Sequence, residues 1–351
     1  MSGDDTIKFM RRCIELAGKA EGMTYPNPMV GAVVVHNGII TGEGYHQRAG
    51  APHAEVMAID SVRDRKSLRF STLYVNLEPC SHHGRTPPCA DLIISSGIPE
   101  VVVGTIDTTG KVSGKGIERL REAGCRVETG ILEDECRYIN RRFFTFYERK
   151  RPYIILKWAQ SADGFIDTRR DPGSAQGPNW ITGRPERVLV HKWRAAEQAI
   201  LAGAGTLRQD NPRLDVREWG GGSPVRIILS GSGKLDRHLA ISELVGSNIV
   251  FTLNGKAKLP GAVMVRLDSE ADAAKQISSY LYENEIQSVL VEGGAQTINH
   301  FIRNDLWDEA RIFSGLASFR DGIRAPVING TIAATTGYGL SSLKILMNTA
   351  N

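Results

Sequence analysis

The chain has 351 residues, of which 41% are hydrophobic and 23% charged, a composition that fits a globular α/β protein and excludes a disordered or fibrous one. Its formal net charge is only +4 and no long run of Lys or Arg occurs, which argues against a nucleic-acid partner. The length exceeds what a single hydrophobic core usually serves, so we expect two domains.

The N-terminus and the cysteines bear on where the protein works. Residues 1–5 are acidic and lack the basic and apolar regions of a secretory signal, and no apolar run reaches about 18 residues. Outside the motif described below, Cys13, Cys125 and Cys136 form an odd set and are interpreted as packing residues in a reducing compartment. The sequence therefore predicts a cytoplasmic protein.

The first part of the chain predicts strands that alternate with helices. Apolar residues at helical spacing predict a helix over 6–20, and the Asn37-Gly38 turn between two apolar runs predicts a β-hairpin. Further strands are expected at 73–77, 100–104 and 125–128, and further helices at 89–97 and 114–124. This alternation indicates a largely parallel or mixed sheet with helices on its faces.

The clearest chemistry is carried by His53, Glu55, Cys80 and Cys89. One imidazole and two thiolates suit tetrahedral Zn²⁺ and leave a fourth position for water, which indicates catalysis. Glu55 is too close to His53 to be a second ligand on one helical face, but it can move the protons of a water that the metal activates. We expect Pro52 to be the first residue of the helix that carries His53 and Glu55.

Other polar residues surround this motif. Asn27 lies between two prolines, so its amide either faces a flat heterocycle or is a plain turn residue. His46 is either a loop histidine or a substrate contact. His82 and Arg85, between the two cysteines, place positive charge that suits a phosphate, unless they belong to a solvated loop.

A basic, aromatic segment over 140–152 is expected to close the first domain. Beyond it, strands are predicted at 153–159, 199–203, 225–229, 248–253 and 288–291, and helices at 180–196, at 271–283 and from Thr297. Residues 205–217 are predicted to form a polar loop, and the tail from 308 gives little beyond a strand at 310–313. Gly293-Gly294 before a helix could receive a phosphate, but no dinucleotide fingerprint or P-loop is present.

Together these motifs resemble the bifunctional deaminase–reductase family of riboflavin biosynthesis over essentially the whole chain. The motifs in the first part are Asn27-Pro-Met-Val-Gly-Ala, His53-Ala-Glu55 and Glu78-Pro-Cys80-Ser-His82 through Pro87-Pro88-Cys89. Those in the second are Ser161-x-Asp163-Gly164, Trp180-Ile-Thr, Thr206 with Asp210-x-Pro212, and Val291-Glu292-Gly293-Gly294. The nine-residue step from Cys80 to Cys89 differs from the P-C-x-x-C of cytidine and tRNA-adenosine deaminases.

The resemblance implies an α/β fold in two parts. A cytidine-deaminase-like three-layer α/β/α domain is expected over 1–148, and a dihydrofolate-reductase-like α/β domain over 149–351. The implied reactions are zinc-dependent deamination of 2,5-diamino-6-(5-phosphoribosylamino)pyrimidin-4(3H)-one and NADPH-dependent reduction of its ribosyl group to ribityl. The implied partner is this small phosphorylated substrate, and neither a nucleic acid nor a membrane is expected. The resemblance also implies a homo-oligomer.

The family's functional residues carry over position by position. His53, Cys80 and Cys89 match its zinc ligands, Glu55 matches its proton shuttle, and the deaminase substrate contacts are Asn27, His46, His82 and Arg85. The implied cofactor contacts are Ala159, Trp180, Thr206, Asp210, Ser230, Gly294, Ala295, Gln296 and Thr297. The implied reductase substrate contacts are Pro178, Arg194, Leu214, Arg217 and Glu292.

Some roles and alternatives stay open. Asp210 and Glu292 are both candidates for the proton donor in the reduction. Pro178 stands where many relatives carry Ser, so one hydroxyl contact is lost or is replaced by Asn179. The alternative functions are another deaminase of the superfamily, acting on a nucleoside or tRNA, and a non-catalytic zinc-stabilised protein. The latter needs a fourth ligand, for which His82 and His83 are the candidates nearby.

Overall fold

The computed structural model describes residues 3–81, 87–109, 113–170, 177–235, 239–243, 246–269 and 271–349. The chain folds into two compact units, Met1–Lys150 and Arg151–Asn351. Within the described ranges, none of the helices combines the length and the apolar character that crossing a membrane requires.

The first unit alternates strands and helices. Its elements are α1 (Gly3–Gly18), β1 (Gly31–His36), β2 (Ile39–Tyr45), α2 (Ala54–Asp60), β3 (Thr72–Leu77), α3 (Cys89–Ser95), β4 (Glu100–Thr105), α4 (Lys115–Glu122), β5 (Arg126–Thr129), α5 (Glu133–Ile139) and α6 (Arg141–Arg149). The strands form a sheet in the order β2-β1-β3-β4-β5. β1 pairs antiparallel with β2 and β3, whereas β3, β4 and β5 run parallel.

Both faces of this sheet are covered by helices. Because successive side chains of a strand point to opposite faces, β1 places Val33 on one side and Val34 on the other. Val33 packs with Phe9 of α1, and Val34 packs with Ala58 of α2 and with residues of α3 and α4. The predicted α/β/α layering is therefore confirmed.

The second unit is built on a larger mixed sheet. Its elements are β6 (Tyr153–Gln160), β7 (Phe165–Asp167), α7 (Arg184–Ala196), β8 (Ala199–Gly203), α8 (Ala204–Asp210), β9 (Val225–Leu229), β10 (Asn248–Thr252), β11 (Ala262–Arg266), α9 (Ala273–Glu283), β12 (Ser288–Gly293), α10 (Ala295–Arg303), β13 (Glu309–Gly315), β14 (Ile323–Arg324), β15 (Thr331–Tyr338) and β16 (Ser341–Met347). The sheet order is β11-β10-β9-β8-β12-β6-β13-β16-β15, and a separate small ribbon pairs β7 with β14.

The strands from β11 to β13 are parallel, and β16 and β15 are added antiparallel at one edge. The central strands β12 and β6 are almost continuously apolar because both their faces are covered. α9 and α10 contribute Ile277 and Phe301 to the core on one face. On the other face, Trp193 of α7 stacks on Phe313 with 5.5 Å between ring centroids.

Several sequence-based boundaries are wrong. The helix predicted from Trp180 begins at Arg184, where Pro185 in the first turn lacks the N–H that a helix start leaves unpaired. The predicted loop 205–217 begins with the helix α8. In the tail from 308, the strand expected at 310–313 is confirmed as part of β13, but β14, β15 and β16 were not predicted. His53 has an extended backbone (φ −71°, ψ 161°) and precedes α2, so Pro52 is not a helical residue.

Candidate active sites

The first unit gathers the predicted metal ligands. His53 Nδ1 lies 3.6 Å from Cys80 Sγ and 3.3 Å from Cys89 Sγ. In the described part of the chain, these three side chains form a cluster whose ligand atoms all lie within 4.8 Å of one another. His53 immediately precedes α2, Cys80 follows β3, and Cys89 is the first residue of α3.

The donor set fits zinc. Tetrahedral zinc has bonds of about 2.3 Å to sulfur and about 2.0–2.1 Å to nitrogen, which places a nitrogen and a sulfur ligand about 3.6 Å apart. The observed separations of 3.6 and 3.3 Å between His53 Nδ1 and the two sulfurs match this spacing. A mixed imidazole and thiolate set is one that zinc prefers.

The cluster also stabilises the thiolate form that a metal needs. A hydrogen bond from the Cys89 thiol, followed by one with His53, lowers the pKa of Cys80 to about 4. The backbone N–H of Cys89 also donates to Cys80 Sγ over 3.3 Å. The hydrogen bond to Cys80 and burial raise the pKa of Cys89. The two sulfurs therefore share a proton, which zinc binding would release.

Glu55 lies in the first turn of α2, close to this cluster, and only 3% of its surface is exposed. Burial, followed by the negative charge of Cys80, raises the pKa of Glu55 to about 7. A carboxyl group with such a pKa can gain and lose a proton near neutral pH, which is the property required of a proton shuttle.

Asn27 and His46 form a hydrogen-bonded pair near the metal cluster. His46 is buried, and its ring centroid lies 5.5 Å from that of His53. Its Nδ1 lies 3.1 Å from the carbonyl oxygen of Pro52, so this nitrogen carries the proton. Nε2 then accepts from Asn27 Nδ2 over 3.1 Å. The pair fixes the orientation of the Asn27 amide. His82 and Arg85 lie outside the described residues.

Glu78 plays a structural part that the sequence analysis missed. Its buried carboxylate accepts backbone hydrogen bonds from Asp107, Gly114, Gly116 and Ile117, at 2.8 to 3.4 Å. At Gly116 a Cβ atom would lie only 2.0 Å from the carbonyl oxygen of Pro79. Glu78 therefore holds the N-terminus of α4 against the segment that leads to Cys80.

The second unit contains a cleft of about 1530 Å³. It opens where the parallel strands β6, β8, β9 and β12 reach their carboxyl ends, the usual position of a ligand site in such a sheet. The cleft is lined by every residue implied as a cofactor or reductase substrate contact, namely Ala159, Pro178, Trp180, Arg194, Thr206, Asp210, Leu214, Arg217, Ser230, Glu292 and Gly294–Thr297. The structure thus brings these residues together.

A buried charge network lies in the cleft. Arg194 donates from Nε to Glu292 Oε1 over 2.7 Å and from Nη2 to Oε2 over 2.8 Å. Lys157 Nζ lies 3.7 Å from Glu292 Oε2. Although burial acts to raise it, the charges of Arg194 and Lys157 lower the pKa of Glu292 to about 2. Glu292 is therefore a charged partner of two cations, which argues against it as the proton donor.

Asp210 has a different environment. Burial, which outweighs the attraction of Arg170, raises the pKa of Asp210 to about 6. Arg170 Nη2 lies 3.5 Å from Asp210 Oδ1 and 3.0 Å from Asp167 Oδ1. One guanidinium is thus shared by two carboxylates, so Asp210 can hold a proton near neutral pH. Asn179 donates its amide to Asp167 and Thr168, so its side chain is already engaged.

The strand β12 delivers Gly294 to the start of α10. The backbone N–H of Gly294 donates to Thr206 Oγ1 over 2.9 Å, which ties this start to α8. Ala295, Gln296 and Thr297 form the first turn of α10, where backbone N–H groups have no partner within the helix. The buried Ser230 Oγ has no hydrogen-bond partner within the described ranges. These groups suit the phosphates and hydroxyls of a dinucleotide.

A thiolate and imidazole cluster beside a buried glutamate, in one chain with a cleft for a dinucleotide, defines a zinc-dependent deaminase joined to a reductase. Residues 4–105 match the family model of the cytidine and deoxycytidylate deaminase zinc-binding region, and residues 152–315 match that of the RibD C-terminal domain.

Full-length relatives extend this match. The riboflavin biosynthesis protein RibD of Aquifex aeolicus is 43% identical, over 87% of this chain and 85% of its own length. A deaminase and reductase structure from Thermotoga maritima, with 38% identity and a TM-score of 0.90, covers 98% of this chain and 99% of its own. Acinetobacter baumannii RibD matches with 30% identity, a TM-score of 0.88 and 99% of both chains. The chain belongs to the RibD family of bifunctional deaminase–reductases of riboflavin biosynthesis, as the sequence predicted.

Proposed function

We propose that the chain deaminates 2,5-diamino-6-(5-phosphoribosylamino)pyrimidin-4(3H)-one and then reduces the ribosyl group of the product to ribityl with NADPH, giving 5-amino-6-(5-phosphoribitylamino)uracil. The observation that carries this proposal is the cluster of His53, Cys80 and Cys89 with Glu55 buried beside it. The match of residues 152–315 to a reductase domain would have no explanation in a deaminase that acts alone on a nucleoside or tRNA.

In the first unit, His53 Nδ1, Cys80 Sγ and Cys89 Sγ would hold the zinc ion. Zinc supplies the Lewis acidity that activates water for attack on the amino-bearing ring carbon. Glu55 takes a proton from the water and returns protons to the ring nitrogen and the departing ammonia. Asn27, oriented by His46, would bind the edge of the pyrimidine.

In the second unit, the cleft would align NADPH with the substrate. Gly294 to Thr297, at the start of α10, would bind the cofactor phosphates, and Ser230 would bind one of its hydroxyl groups. NADPH supplies the hydride that reduces C1′ of the ribosyl group. Arg194 and Glu292 would position the substrate. Asp210 can hold a proton near neutral pH and would donate this proton to the substrate during the reduction.

The chain would act on a small molecule in the cytoplasm. The five free cysteines fit a reducing compartment, and the small net charge fits a small-molecule substrate. A homo-oligomer is favoured by β15, an edge strand that has no charged residue or proline and whose first seven residues are exposed. Such an edge can pair with a second copy. Light scattering on the purified chain tests this assembly.

Incubation of the purified protein with the diaminopyrimidine and NADPH tests the proposed reactions. We expect one ammonia per substrate and a matching loss of absorbance at the cofactor wavelength, with zinc bound to the protein. Zinc without turnover of any pyrimidine would contradict the proposal and would favour a structural role for the metal.

A further inference from the structure

Asp215 lies between two arginines on the segment that follows α8. Its Oδ1 accepts from Arg217 Nη1 over 2.7 Å, and its Oδ2 accepts from Arg213 Nε over 2.8 Å. The carboxylate therefore uses one oxygen for each guanidinium. Its backbone carbonyl also accepts from Arg194 Nη1 over 3.1 Å. Asp215 thus connects the two arginines to the buried pair of Arg194 and Glu292.

The burial of these side chains is unequal. The side chain of Asp215 is only 10% exposed, whereas those of Arg213 and Arg217 are 52% and 48% exposed. Although burial acts to raise it, hydrogen bonds from Arg213 and Arg217 lower the pKa of Asp215. The carboxylate is therefore charged and fixed beneath two accessible guanidinium groups. Each arginine has five N–H donors and gives one to Asp215, which leaves others for a ligand.

The backbone of this segment adopts a conformation that costs free energy. Leu214, between Arg213 and Asp215, has a φ of +52°, in the left-handed region that a leucine rarely occupies. Its side chain is 2% exposed and packs in the core with Leu207 and Ile228. The core thus anchors Leu214. The residues on either side of it, Arg213 and Asp215, turn their side chains toward each other, and Arg213 lines the cleft.

The charges at this end of the cleft favour a phosphate. The cations are Lys157, Arg194, Arg213 and Arg217, and the anions paired with them are Glu292 and Asp215. Glu218, whose negative charge also acts on Arg194, reduces this excess, but the net charge stays positive and attracts the charge of about −1.5 to −2 on a phosphate monoester at neutral pH. Arginine forks are well suited to bind phosphate oxygens in pairs.

We propose that Asp215 is a positioning residue whose carboxylate holds Arg213 and Arg217 as a guanidinium pair for the phosphate of the reductase substrate. This inference rests on the proposed reduction of a phosphorylated pyrimidine. It assigns a binding role to Arg213, and it predicts that Asp215 acts only through its two neighbours, without touching the substrate itself.

The test compares Asp215→Ala with wild type on the deaminated substrate and on the same compound without its phosphate. We expect KM for the phosphorylated compound to rise about tenfold, the loss of one favourable ionic contact, with kcat changed less than about twofold. KM for the dephosphorylated compound should not change. Asp215→Asn, which keeps the shape and loses the charge, should give a smaller rise in the same direction and serves if Asp215→Ala folds poorly.

Asp272→Ala is the matched control, because Asp272 lies outside the cleft lining and, among the described residues, its carboxylate pairs with the exposed Lys275 at 3.8 Å. An equal rise of KM for both compounds, no rise for either, or a loss of kcat at constant KM would each overturn the proposal. If wild type reduces neither compound, the proposed function fails. The role of Asp215 is then tested separately by the binding of inorganic phosphate to wild type and to Asp215→Ala. Phosphate should raise the unfolding temperature of wild type more than that of Asp215→Ala, and equal rises would overturn the positioning role.

Discussion

The two sites of this chain differ in how their functional groups are assembled. The metal cluster draws its ligands from short motifs at the ends of β3, α2 and α3, and all its ligand atoms lie within 4.8 Å. The cleft of the second unit spreads its charged groups over about 1530 Å³ and holds them through paired charges. In the first site, the types of the ligand side chains already indicate metal binding. In the second site, the role of each charged residue depends on its ion-pair partner.

Removal of the metal should have the largest effect and should be confined to one site. We expect a chelator to abolish deamination by the zinc-loaded protein, because the metal that His53, Cys80 and Cys89 would hold activates the attacking water. Reduction of the already deaminated substrate should continue. Added zinc should restore ammonia release. Loss of both reactions on chelation would contradict the division of labour between the two sites.

The paired charges of the cleft are tested by Glu292→Gln. This change leaves Arg194 and Lys157 without their buried counter-charge, which typically costs roughly 3 kcal/mol. All five tryptophans lie after residue 151, so their fluorescence reports the unfolding of the second unit. We expect a lower free energy of unfolding and slower reduction, with deamination unchanged.

The exposed residue Glu283, at the end of α9, provides the control Glu283→Gln. It should leave unfolding and both reactions as in wild type. If Glu292→Gln is as stable as this control, the ion pair with Arg194 contributes little and the description of the cleft is wrong.

The comparison also shows what the sequence can predict. The metal ligands were predictable because thiolate and imidazole side chains at this spacing have few other uses, and the strands Ala199–Gly203 and Val225–Leu229 matched their apolar runs. The edge strand β15 was not predictable, because its seven exposed residues show no alternation of apolar and polar side chains.

Pairings between distant residues were equally hidden. Nothing local indicates that Glu78 binds the backbone of Gly116, or that Arg194 pairs with Glu292, because only the folded chain brings them together. Lys157 gave a weak signal as a lone charge in the apolar strand β6. The positive φ of Leu214 gave none, since leucine does not favour that conformation.

The smallest expected effect concerns Asp210 and pH. Its folded pKa of about 6 lies above the ordinary value of 3.8, so the folded state binds its proton more tightly and loses stability as pH rises from 4 through 6. Asp210→Asn removes this cost. Allowing for partial exposure, we expect the variant to be more stable than wild type by about 1 kcal/mol at pH 8 and equally stable at pH 4.

Urea unfolding followed by tryptophan fluorescence measures this difference, with the exposed Asp272→Asn as the control. A gain of the same size at both pH values would mean that the buried charge of Asp210 is not its cause. Reduction by Asp210→Asn should also be slower, because the amide cannot donate the proton as a carboxylic acid does.

Glu55→Gln tests most directly the claim that a buried acid beside a zinc site performs deamination independently of the reductase. Zinc content, ammonia release and NADPH oxidation are measured on the same preparation. We expect full zinc content, ammonia release lowered by about 10²–10⁴-fold, and wild-type reduction of the deaminated substrate. Ammonia release at the wild-type rate, or reduction lost together with it, would contradict the account.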